Sequence, residues 1–277
     1  MKLWLQVWFY SVGIAVVLIL LGVMPMADIT IYQVLDFIFP IQTEHYWFAT
    51  AYVFMYLFSP VLNVGIKGMT QKQHRNVILG LLLVFSIVKS VVPFNLNMDS
   101  FGYDVVWFMC LYMVAGYIRR YGIPFFSGLK KSLITYVSIT TVMYLACMAV
   151  GGFYKVTGKL ADFVTKPYQY NHILNVFASV ALFYVFYHLK IKGRIAEVIC
   201  RISPYVFGVY LLHEHIGLRY VWPQWFKVNV YGRTLYMLPH LLITVLLIFA
   251  AGVLLDFCRN RLFVLAEKGT VKLIKKK

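Results

Sequence analysis

Tyr210, His213, Glu214 and His215 close the stretch SPYVFGVYLLHEHI, in which ten mostly apolar residues lead to three titratable side chains. Such groups are costly in apolar surroundings unless they are paired or used. A histidine exchanges a proton near neutral pH, and a tyrosine donates or accepts a hydrogen bond. Tyr210 stands one helical turn before His213 and shares its face. The two make a candidate substrate pocket, and the competing reading is a histidine that hydrogen-bonds between helices. His213 and His215 point about 200° apart on a helix, so they do not chelate one metal ion. No metal site is expected.

The depth of these residues depends on where their helix starts. Ser203-Pro204 reads as a start signal, since serine caps free amides and proline suits the first helical position. A helix from Ser203 puts His213 about 15 Å deep, near the middle of a bilayer, whereas an earlier start, near Ile195, moves the same residues toward the outer surface.

A second group sits in EHYWFATAYVFMYLFSPVLN, residues 44–63. Trp47 is a candidate for lining an outer vestibule, although an aromatic belt also accounts for it. Ser59-Pro60 predicts a kink. Arg119 and Arg120 end an apolar segment and are candidate contacts for an anionic ligand. Lys89 lies inside an apolar run, with Asp99 or Asp104 as candidate partners.

The elements that hold these residues must be membrane helices. The chain has 277 residues, of which 61% are hydrophobic and 13% charged, against about 25% charged in a soluble domain. Runs approaching or exceeding the roughly 20 residues of a spanning helix recur. The pattern predicts an all-α, polytopic transmembrane bundle forming one domain over 1–277. About eight spans are expected, at 3–23, 46–66, 77–94, 103–118, 133–153, 173–189, 203–222 and 235–256. Residues 29–39, ITIYQVLDFIF, read as an interfacial or re-entrant piece between the first two spans.

The net charge of +16 does not point to nucleic acid, because no recognition motif accompanies it. The basic residues concentrate instead in alternate loops. By the positive-inside rule this places both termini in the cytoplasm, in agreement with an even number of crossings. The basic tail from Arg261 onward is expected on the anionic inner leaflet. Cys110, Cys147, Cys200 and Cys258 form no CxxC pair, and neither a zinc site nor a disulfide framework is indicated.

Taken together, HYWFATAYVFMYLFSPVLN and the later ISPYVFGVYLLHEHI resemble the bacterial acyltransferase 3 family of membrane O-acyltransferases. Their order and spacing look like that family's Trp-Phe…Pro span and its Ser…Tyr-Leu-x-His span. The opening LWLQVWFYSVGIAVVLI is similar to its third helix. The resemblance implies a multi-pass protein of the inner (plasma) membrane. It implies transfer of an acyl group, acetyl above all, from acyl-CoA as co-substrate to a hydroxyl of a surface glycan or lipid-linked sugar. No bound cofactor is expected. Arg119, Arg120 and Lys190 are then candidate acyl-CoA contacts, and His213, Tyr210 and Trp47 candidate substrate-pocket residues.

The family's early helix with an arginine and a base-like histidine has no counterpart here, and the first histidine is His45. The chain thus reads as lacking the family's first two helices. No residue is assigned as the catalytic base. Two rival readings stand beside the enzyme: a non-enzymatic carrier or exporter of a glycan or acyl intermediate, and an inactive, truncated family member. The sequence leaves acceptor, acyl chain and oligomeric state open.

Overall fold

A computed structural model of the protein describes residues 2–92 and 100–274. The regular structure among them is helical, with no strand. In chain order the helices are α1 (Lys2–Leu20), α2 (Ile31–Ile38), α3 (Trp47–Gly68), α4 (Gln71–Leu82), α5 (Val88–Val91), α6 (Val105–Tyr121) and α7 (Leu129–Thr157). There follow α8 (Ile173–His188), α9 (Gly193–Ile202), α10 (Val206–His213), α11 (Trp222–Trp225), α12 (Val228–Tyr231) and α13 (Met237–Ile274). Single 3-10 or π turns fill several of the gaps between them.

Among the described residues, seven helical stretches are long and apolar enough to cross a bilayer: Leu3–Leu20, Trp47–Gly68, Gln71–Val91, Leu129–Thr157, Ala161–His188, Gly193–His213 and Met237–Lys268. The eighth expected span corresponds to α6, which has 17 residues and is about 25 Å long. Most of the apolar surface faces outward. Along α7 the mean hydropathy reaches 1.9, yet only 6% of that stretch is buried. Water does not support such a surface, whereas lipid does. The chain is therefore an all-α, multi-pass membrane protein, as its composition predicts.

Local sequence signals set several helix ends. Thr30 and Thr70 each form a capping box with the glutamine three residues on, Gln33 and Gln73, which satisfies amides that the first helical turn leaves free. Asp104 caps α6 by accepting from the Trp107 amide at 2.8 Å and also accepts from the Ser100 amide at 3.1 Å. It is thus a cap. Asp99 lies outside the described residues. Lys89 is buried, with Nζ 5.9 Å from the centroid of the Phe101 ring.

The segment before His213 departs from expectation. Ser203-Pro204 does not start a helix. It forms one 3-10 turn, Ser203–Tyr205, within a continuous helical path that begins at Gly193 and ends at His213. The reason is local. Pro204 has no N–H for the carbonyl four residues back, that of Cys200, and the Ser203 hydroxyl donates to this carbonyl at 3.3 Å. Ser59-Pro60 in α3 uses the same device, the Ser59 hydroxyl donating to the Tyr56 carbonyl at 2.7 Å. A serine before a proline thus lets a helix continue through it. His213 then lies twenty residues beyond the helix start, or about 30 Å along it. It occupies the far end of the span and not mid-depth.

The chain divides into two compact units, residues 1–46 with 191–277 and residues 47–190. In the first, α10 packs on α13 and α1, and α2 packs on α1. Glycines permit the close approach. A Cβ at Gly208 would stand 2.4 Å from Asp256 Cβ, and one at Gly252 would stand 2.7 Å from Val209 Cα. In the second unit α6 packs on α3 and α4, and α7 pairs with α8.

Candidate functional site

In the first unit, burial gathers polar side chains that are far apart in sequence. His45 and His215 are buried with ring centroids 4.9 Å apart. The Ile216 amide donates to His45 Nε2 at 3.1 Å. The proton of the neutral ring therefore sits on Nδ1, which faces the Asp36 carbonyl at 3.2 Å and Ser11 Oγ at 3.3 Å. His215 has the opposite tautomer. Its Nδ1 accepts from the Gly217 amide at 3.1 Å, and its Nε2–H donates to the Ser11 carbonyl at 3.0 Å.

Both imidazoles are thus neutral and fully engaged. Burial lowers each from the ordinary histidine value of 6.5 to about 4, opposed by the carbonyl that each ring meets, Asp36 for His45 and Ser11 for His215. Ser11 and His45 do not form a nucleophile–base pair, because the nitrogen facing the hydroxyl carries the proton. The pair clamps backbone.

A charged network lies on α1 and α13. Asp256 is fully buried and holds Arg259 through two contacts, Nε–Oδ1 at 2.7 Å and Nη2–Oδ2 at 3.1 Å. Gln6 Nε2 and the Tyr10 hydroxyl also donate to Oδ1, at 2.9 and 3.1 Å. A buried carboxylate is tolerable only with such saturation.

Of the pocket residues read from sequence, Tyr210 and His213 end α10 in this unit. His213 is half exposed, with Nδ1 3.2 Å from Glu214 Oε1. A carboxylate there fixes the ring and leaves Nε2 as its second nitrogen. The Tyr210 ring lies 5.9 Å from Phe207 and 6.1 Å from Tyr46. The Tyr46 hydroxyl is buried with no hydrogen-bond partner among the described residues. Burial, with Tyr210, Tyr10 and Glu214 nearby, raises it well above 10, so it stays a neutral donor.

Trp47 belongs to the second unit, where its ring centroid lies 4.4 Å from that of Tyr103 and 5.5 Å from that of Tyr170. At the other end of this unit the cations converge. A cavity of about 460 Å³ is lined by Lys67, Arg119, Arg120, Asn63 and Tyr112 among others. Arg120 is fixed by donating to the Ile66 carbonyl, and Tyr112 by donating to Asn63 Oδ1 at 3.0 Å. Arg119 also lines a neighbouring cavity of about 610 Å³ with Tyr184, Tyr187 and His188. Lys190 lies past the end of α8, exposed, and lines neither cavity. Guanidinium groups held at a cavity wall suit phosphate oxygens. Among the described residues no cluster of histidine, cysteine or carboxylate side chains could hold a metal ion.

Sequence reasoning missed Ser11, Tyr10 and Asp256, and underrated His45 and His215. A carboxylate in the apolar run ending VLLDFCRN was the available signal, because it needs a nearby cation and Arg259 follows three residues on.

The fold and these groups define a multi-pass membrane protein with a cavity suited to an anion at one end of a helical unit. The chain belongs to the acyltransferase 3 family: the family model described as an acyltransferase domain matches residues 1–256. It is thus of the membrane acyltransferase kind. No curated protein and no solved structure matches it.

Proposed function

We propose that the protein transfers an acyl group, acetyl in the simplest case, from acyl-CoA to a hydroxyl of a surface glycan or lipid-linked sugar, in the cell's inner membrane. The observation that carries this reading is the cavity walled by Lys67, Arg119 and Arg120, taken with membership of the family. CoA carries its phosphates at one end and its thioester at the other. Arg120, held by the Ile66 carbonyl, and Arg119 beside it on the cavity wall would hold the phosphates, and the charge rule puts this end of the unit in the cytoplasm.

In the reaction the acceptor oxygen forms a bond to the thioester carbonyl carbon, and the carbon–sulfur bond breaks. The acceptor's proton passes to a base, and CoA leaves as thiolate or, after protonation, as thiol. No residue is assigned as that base; in the first unit His213, with Nδ1 3.2 Å from Glu214 Oε1, is a candidate substrate-pocket residue. Tyr46 and Tyr210, with ring centroids 6.1 Å apart, are candidate hydrogen-bond donors in the first unit, and Trp47 is a candidate lining residue within its own unit. Lys190 is retained only as a peripheral cation.

The test uses the full chain in anionic lipid nanodiscs with acetyl-CoA and a membrane glycolipid extract. Release of free CoA coupled to acetate appearing on a sugar hydroxyl is the expected result. Arg119→Ala should raise the KM for acetyl-CoA by about tenfold, the loss of one charge-assisted contact. Movement of the glycolipid across the bilayer with no covalent change would reject the reading.

A further inference from the structure

In the second unit α4, α6, α7 and α8 enclose another cavity, of about 450 Å³. It shares no lining residue with the Lys67–Arg119–Arg120 cavity. Its deep wall is hydrocarbon, made by Leu79 and Leu82 of α4, Val114 of α6, Ile139 of α7, and Phe177 and Val180 of α8. Its polar lining is confined to Arg75, Tyr117 and Thr135. All three lie at one end, where α4 and α7 begin and α6 finishes. Phe125 lines the same end, and Lys131 Nζ stands 5.5 Å from its ring centroid.

The cavity thus has cations at its mouth and none in its depth. A free polyanion would meet a hydrocarbon wall, and a wholly apolar ligand would make no use of Arg75. The complementary ligand has one anionic head and a hydrocarbon tail. The charge rule turns this mouth toward the cytoplasm, and anionic lipids give that leaflet its negative surface. The volume falls in the range of ordinary ligand sites.

We propose that this cavity seats one acyl chain of an anionic phospholipid, with the lipid phosphate paired to Arg75. The proposal does not rest on the transferase reading, since it uses no residue of the Lys67–Arg119–Arg120 cavity.

The experiment measures the melting temperature of the delipidated full chain in neutral detergent. Phosphatidylglycerol, phosphatidylcholine with identical chains, and inorganic phosphate are titrated separately. Phosphatidylglycerol should raise the midpoint by about 5 °C or more near saturation, with phosphatidylcholine well behind and inorganic phosphate without effect. Arg75→Gln, at an exposed position, should weaken phosphatidylglycerol binding about fivefold. Val180→Trp, which fills the cavity, should abolish the response to either lipid. If Val180→Trp fails to fold, Arg75→Gln decides alone. Equal gains from both lipids, reproduction of the effect by inorganic phosphate, or an Arg75→Gln response like the parent's would each overturn the proposal.

Discussion

His215 Nε2 donates to the carbonyl of Ser11 at 3.0 Å, joining residues 204 positions apart in the chain. The ring's other nitrogen receives the Gly217 amide, so one side chain satisfies two backbone groups that have no water to turn to. Replacing it with alanine strands both. His215→Ala should lower stability by roughly 2–5 kcal/mol, seen as an earlier thermal unfolding transition in detergent. His213→Ala, at a half-exposed position, should change the same transition little.

Acid should act on the same clamp. His45 and His215 are held near 4 in the folded protein, below the ordinary 6.5. Between these values the unfolded chain binds protons that the folded chain refuses. Stability is therefore full above about pH 6.5, declines as pH falls toward 4, and levels off below. Each histidine contributes on the order of 3 kcal/mol across that window. Arg219, whose positive charge also opposes protonation of His45, adds to the effect. Melting temperatures from pH 7.5 to 4.5 should fall, and a His45→Phe variant should fall less steeply.

Asp256 and Arg259 make a separate test. Removing the carboxylate leaves a guanidinium buried with its charge unanswered, and such a break costs about 3–5 kcal/mol. Asp256→Ala should express poorly or unfold early. The double variant with Arg259→Leu should recover part of the loss, giving a coupling in a double-mutant cycle that exceeds the scatter of independent sites.

The serine–proline device predicts a conditional effect. Ser59→Ala removes the hydroxyl that answers the Tyr56 carbonyl and should cost about 1 kcal/mol. In a Pro60→Ala background an amide returns to that carbonyl, and the serine substitution should become nearly neutral. Ser203→Ala, read with and without Pro204→Ala, should repeat the pattern at the Cys200 carbonyl. Equal losses in both backgrounds would show that the hydroxyls serve something else.

The class of the fold was plain in the sequence because apolar runs of bilayer length have few other uses. The start of the run before His213 was legible only as two alternatives, Ser203 or near Ile195, for a specific reason. Ser-Pro has the same appearance as a cap and as a repaired interior proline, and only the side-chain hydrogen bond separates the two. The cations of the candidate anion cavity were half legible. Arg119 and Arg120 end a helix together, but Lys67 joins them only through the packing of α3 on α6. The histidine clamp was least legible. His45 and His215 stand 170 positions apart, in segments with no shared period, and their common neighbour Ser11 is one serine among many.

One dimension of α13 has a mechanical consequence. Its 38 residues make a rod about 57 Å long, nearly twice the thickness of a hydrocarbon core. About half of that length therefore lies outside the hydrocarbon, and the basic residues of that half, Arg261 and Lys268 among them, are joined to the crossing part by unbroken helix, with no flexible link between.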